Sequence, residues 1–146
     1  MKHVEYAYTL GMDNDAVEER LQTTGTGVLA LSHDGESYAI LLAHYYDGDG
    51  LYFRLGLTEG SRKREFIAST ETACYIVYGE AETNDPQEID TWSVVVSGRL
   101  SEVPSSERDR FDTAEINRRF APIRLFDEDV DDVEIAIYEF EIESIT

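Results

Sequence analysis

One cysteine, Cys74, in 146 residues leaves no partner for an internal disulfide, so nothing covalent holds this chain together. Lysine is nearly as scarce: Lys2 and Lys63 are the only two. No stretch is long and apolar enough to cross a bilayer, and residues 1–12 carry Lys2, His3 and Glu5 in place of an apolar run. The expectation is a cytoplasmic protein without signal peptide or membrane anchor. Positive charge is the deepest deficit, with 12 Lys and Arg against 31 Asp and Glu, a formal net charge of -19. Nucleic acid is therefore excluded as a partner, since a phosphate backbone would meet repulsion over nearly the whole surface. Charge of this size also opposes compaction unless salt screens it, so the composition reads as adaptation to a salty cytoplasm.

Hydrophobic residues make up 42% and aromatics 11%, which places the chain among folded domains rather than disordered ones. The length fits one domain spanning residues 1–146. Cys74 lies in an apolar run and is expected to be a buried small hydrophobe. The acidic clusters at Asp13-Asn14-Asp15, Asp47-Gly48-Asp49 and 127–134 lack the spacing of a calcium loop, so no metal site is expected.

Local signals divide the chain into short elements. Asp13 is a plausible N-cap for an amphipathic helix over 13–21. Strands follow at 27–32, 37–46 and 51–55, separated by Asp34-Gly35 and Asp47-Gly48-Asp49-Gly50, both strong hairpin signals, so the three form a meander. A short helix is predicted over 61–69. Strands at 72–80 and 91–103 flank a polar loop around Asp85-Pro86. A second helix starts at Pro104 and ends before Pro122, and a last alternating strand covers 133–145. Six strands with peripheral helices predict a mainly β fold, a six-stranded antiparallel barrel, because closure removes exposed strand edges.

The one dense knot of positive charge is Arg62-Lys63-Arg64, preceded by Gly60-Ser61 at a predicted helix start. Free N–H groups beside three cations suit a phosphate monoester. A solvated helix start, paired with Glu59 and Glu65, fits the same residues, and the triplet alone does not choose. His3, His33 and His44 are isolated in sequence and no catalytic constellation of side chains stands out, which points to chemistry carried by a cofactor. Trp92 reads as core packing.

The joint order Gly27-Val28-Leu29-Ala30-Leu31, Tyr38-Ala39-Ile40, Gly50-Leu51-Tyr52-Phe53, Gly60-Ser61-Arg62-Lys63 and Ser93-Val94-Val95-Val96-Ser97-Gly98-Arg99 resembles the pyridoxamine 5'-phosphate oxidase-like family of FMN-binding split barrels. The resemblance covers most of the chain. It implies a homodimer with FMN at the interface, acting on a small molecule or nicotinamide, and it places the FMN phosphate on Ser61, Arg62 and Lys63. By the same resemblance the isoalloxazine runs along Leu41, Leu42, Ala43 and His44, faces Arg54 and Leu55, and meets Ser93. Where the true oxidases have Lys, this chain has His44, and it lacks their closing Arg-Leu-x-Pro segment, so pyridoxamine phosphate oxidation itself is not expected. A non-catalytic flavin, deazaflavin or haem binding module of the same fold is the alternative.

Overall fold

The computed structural model describes residues 13–57, 61–81, 90–111 and 134–146. Helix α1, Asn14–Thr23, starts where Asp13 Oδ1 accepts the Ala16 N–H at 2.8 Å, and its Val17 and Leu21, four apart on one face, are buried. Six strands follow: β1 (Thr26–His33), β2 (Glu36–Tyr46), β3 (Leu51–Leu57), β4 (Ala73–Ala81), β5 (Asp90–Glu102) and β6 (Glu134–Ile145). They close into an antiparallel barrel in the order β1-β2-β3-β6-β5-β4, as the strand count and turn spacing predict. The β1–β2 turn is the tight hairpin expected of Asp-Gly, with φ of 49° at Asp34 and 80° at Gly35.

Alternation along each strand sends one set of side chains inward. Leu29, Leu31, Leu42, Phe53, Leu55, Tyr75, Val77, Val94, Val96 and Phe140 form the core. β6 carries a bulge that sets Ser97 opposite Ser144 but Gly98 opposite Ile142. Only glycine fits there: a Cβ on Gly98 would stand 2.0 Å from the Glu141 carbonyl oxygen. Trp92 packs against the core as expected, with the Arg20 guanidinium 4.4 Å over its ring.

The barrel is split on one side. The β2–β3 ladder runs only from Tyr46↔Leu51 to Ala43↔Arg54, whereas β2 continues to Glu36 paired with β1 alone. Helix α2, Arg62–Ser69, plugs the gap: Phe66 and Ile67 join the core, Phe66 stacks on Tyr38 at 5.1 Å, and Thr70 Oγ1 donates to Ser32 O on β1.

One expectation needs correction, and two others lie wholly or partly outside the described residues. Cys74 is half-buried rather than buried, because strand alternation turns it outward, where its Sγ lies 3.3 Å from Ser97 Oγ. The helix expected from Pro104 is, where described, the 3-10 helix Ser105–Phe111, and its predicted remainder lies outside the described residues. It lies across the outer face of β3 and β6, where Val103 and Phe111 cover Tyr52 and Ile137. The polar loop around Asp85-Pro86 also lies outside the described residues.

Candidate functional site

The mouth of the split gathers most of the cationic side chains singled out in the sequence. Ser61 caps α2, its Oγ accepting the Arg64 N–H at 3.1 Å. Arg62 is exposed, lies 5.4 Å over the Phe66 ring and pairs with Glu36 on β2 at 3.3 Å. Lys63 folds back across the gap, its Nζ donating to Gly56 O on β3 at 3.2 Å. The cations at this helix start thus meet β2 and β3, the two lips of the opening. Arg64 is half-buried, with its Nε shielded from solvent.

Outside the barrel wall, Ala43, Arg54 and Ile137 form one row across β2, β3 and β6. Two residues further along β3, Gly56 pairs with Ile135, which is 57% exposed. On the facing lip Leu41 is 59% exposed. Gly56 has no side chain to fill the space between, so the opening has apolar lips and cations at one end. The sequence reading missed Gly56 and Ile135. An isolated glycine inside a strand, Leu55-Gly56-Leu57, was the available signal for a close approach to the backbone.

The run Leu41, Leu42, Ala43, His44 divides by the pleat. Leu41 faces out at the mouth and Ala43 faces out into the buried cluster with Tyr52, Val103, Phe111 and Ile137, while Leu42 and His44 turn into the core, as does Leu55 on β3. Of the residues expected along the ring, Leu42, His44 and Leu55 therefore present backbone, not side chain, to the outside of the barrel. His44 is 1% exposed and fully engaged: Nε2 lies 3.0 Å from Leu21 O and Nδ1 2.6 Å from Tyr75 Oη. A carbonyl only accepts, so in the neutral ring Nε2 carries the proton and Nδ1 accepts from the Tyr75 hydroxyl. Burial pushes the Tyr75 hydroxyl far up, which keeps it a donor. His44 thus ties α1 to the barrel and places no charge at the mouth.

Ser93 is exposed on β5, opposite Tyr78 in the β4–β5 ladder. Counting round the barrel in either direction, β5 is three strands from β2. One barrel cannot bring Ser93 to Leu41 or Lys63. Between those two positions runs an uncharged outer band. Leu41, Val28, Ile76 and Val95 stand side by side in register, with Ala39, Ala30, Cys74 and Ser97 as the next row. Tyr78, beside Ser93, is 66% exposed at its edge.

Among the described residues no group of three or more His, Cys, Asp or Glu is placed to hold a metal, and no helix is long and apolar enough to cross a membrane.

The fold has known counterparts. A FAD-binding protein from Mesorhizobium loti matches with a TM-score of 0.61 at 16% identity, covering 92% of each chain. The FAD binding protein from Mycobacterium smegmatis matches at 0.62 and 14%, again over 92% of each chain. The FAD and heme binding protein from Mycobacterium smegmatis matches at 0.58 and 18%, over 92% of this chain and 73% of that one. No curated protein matches the sequence. The family profile of pyridoxamine 5'-phosphate oxidase spans residues 13–146, nearly the whole chain, and with the split barrel and its capped basic helix it carries one conclusion: this chain belongs to the pyridoxamine 5'-phosphate oxidase family.

Proposed function

We propose that this protein is an FMN-binding oxidoreductase that works as a homodimer on a small molecule or a nicotinamide, with the flavin held at the mouth of the split. The observation that carries the reading is the joint placement of the Ser61 cap, Arg62 and Lys63 at the opening between β2 and β3. A dianionic phosphate at the first turn of α2 would meet free N–H groups and two cations, and would displace the exposed Glu36 from Arg62. The exposed Leu41 and Ile135 supply apolar surface for a planar ring, and Arg54 supplies positive charge beside it. When bound, flavin supplies hydride and electron transfer at its N5. The chain's own residues bind the phosphate, orient the ring and set the charge around it.

The haem alternative is favoured by likeness to a protein named for both FAD and haem. Against it, both described imidazoles are engaged: His44 in the core, and His33 beside Asp34 at 3.4 Å. The absorption spectrum of the purified protein decides between them, flavin bands supporting the proposal and a Soret band supporting haem. In a titration at fixed salt, FMN should bind roughly a hundred- to ten-thousandfold more tightly than riboflavin, which lacks the phosphate and so both charge-assisted contacts. Equal affinities would place the phosphate elsewhere.

The dimer rests on the uncharged outer band. In a chain of net charge -19, an outer surface of Leu41, Val28, Ile76, Val95 and their neighbours with no charged side chain is suited to a second copy of itself. Its two edges hold the two separated parts of the predicted site, the mouth with Leu41 and the strand with Ser93. Stacking two bands about a two-fold axis would bring the partner's β5 toward the mouth. Light scattering in molar KCl should give twice 16.6 kDa. Ile76→Asp, which puts a charge in the middle of the band, should shift the protein to monomer and weaken FMN binding with it. A wild-type monomer at micromolar concentration would refute the dimer.

A further inference from the structure

Two cations from different elements are anchored on the backbone carbonyls of one β3–β6 pair, Lys63 on the side of the split and Arg108 on the side of β5, and the phosphate cradle uses only the first. Lys63 Nζ donates to Gly56 O at 3.2 Å, and Arg108 Nη1, from the 3-10 helix, donates to Ile135 O at 3.1 Å. Gly56 and Ile135 are register partners across β3 and β6. The two charges therefore stand on opposite sides of one paired position, with the exposed Ile135 side chain between the mouth and Arg108. Arg108 is held in place by the backbone but not saturated by the described residues: among them its buried Nε has no hydrogen-bond partner, and its Nη2 meets Glu102 at 3.5 Å, partly exposed. A pair of that kind is weakly held and easily exchanged for another anion. Arg54, on the outer face of β3 two residues from Gly56, adds a third positive charge nearby.

We propose that Arg108 binds the anionic group of a second molecule beside this mouth, a small substrate with one carboxylate or phosphate and an apolar body that rests on Ile135 and extends toward the split. The guanidinium supplies the planar, forked donor set that such groups accept. On a surface this acidic, a local cluster of cations is also what admits an anion at all. Naming that molecule the substrate rests on the reading of the split as a flavin cradle, whereas the anion subsite stands on Arg108 alone.

Calorimetric titration of the flavin-loaded protein at fixed salt, with benzoate, phenyl phosphate and neutral benzamide as probes, tests this. Saturable binding of benzoate marks a carboxylate subsite, and binding of phenyl phosphate alone marks a phosphate one. Benzamide should bind roughly ten- to a hundredfold more weakly than the preferred anion, and Arg108→Ala should lose a similar factor, with Arg108→Lys losing less. Glu102→Gln, which removes the competing carboxylate, should tighten anion binding about two- to fivefold, a gain that a misfolded variant does not produce. FMN affinity should stay within about twofold of wild type in each variant, since no cradle residue is touched. The proposal is overturned if neither anion binds, if benzamide matches them, or if Arg108→Ala leaves anion affinity unchanged. Loss of FMN affinity in Arg108→Ala would assign the residue to the cofactor and overturn the substrate subsite. If the protein takes up no flavin, the flavin reading falls by itself, and the same titrations of the flavin-free chain decide the subsite.

Discussion

Raising KCl from about 0.1 M to 1 M should lift the thermal midpoint of this protein by roughly ten degrees or more. Folding concentrates a net charge of -19 from an unfolded chain with a radius of gyration of about 40 Å into a barrel of about 15 Å. The Debye length falls over the same salt range from about 10 Å to about 3 Å, so the repulsion in the compact state drops far more than that in the open chain. A Coulomb estimate with screening puts the gain on the order of 5 kcal/mol, and each kcal/mol moves the midpoint of a chain this size by roughly 2–4 °C or somewhat more. The described ion pairs work little against this, because Arg62–Glu36 and Arg99–Glu143 both lie at the surface and are themselves screened. Differential scanning calorimetry across a KCl series is the measurement. A midpoint that stays flat would remove the reading of the composition as salt adaptation.

The double substitution Arg62→Ala with Lys63→Ala should weaken FMN binding by roughly a hundred- to ten-thousandfold while leaving riboflavin binding nearly unchanged. Each charge-assisted contact to a phosphate contributes about 1.5–3 kcal/mol, and the two side chains reach the opening from consecutive positions at one helix start. Neither is in the core: Arg62 is exposed and Lys63 half-buried, so the variant should fold. The riboflavin control separates loss of the phosphate contact from damage to the ring site. FMN affinity equal to wild type in the double variant would move the phosphate away from α2.

Much of the architecture was legible because its signals are local. Asp13 as a cap, Asp34-Gly35 as a hairpin and the inward alternation of Val94 and Val96 each depend on a few neighbouring residues, and each predicts its element closely. Of the helix expected over 104–122, the described part ends at Phe111 as a 3-10 segment whose Phe111 packs against Tyr52. The site was legible only in part. Ser61-Arg62-Lys63 is contiguous and could be picked out as a unit, whereas Gly56, Ile135 and Arg108 come from three separate stretches and carry no joint signal in the sequence.

By itself, then, the sequence determined the strand count, the order of the elements, the net charge and the location of the basic triplet, because composition and short-range periodicity encode these directly. The tertiary structure alone decided which way each side chain points and what it meets. Strand pleating sent His44, Leu42 and Leu55 inward and left Leu41 and Ala43 outside, a parity that depends on pairing register. Barrel closure put Ser93 on the far side from Lys63, and the divergence of β2 from β3 opened the gap that α2 fills. Pairing between β3 and β6 set Lys63 and Arg108 on the two sides of one paired position, across more than forty positions of chain. Such distances are set by long-range hydrogen-bond ladders, which no local run of residues records.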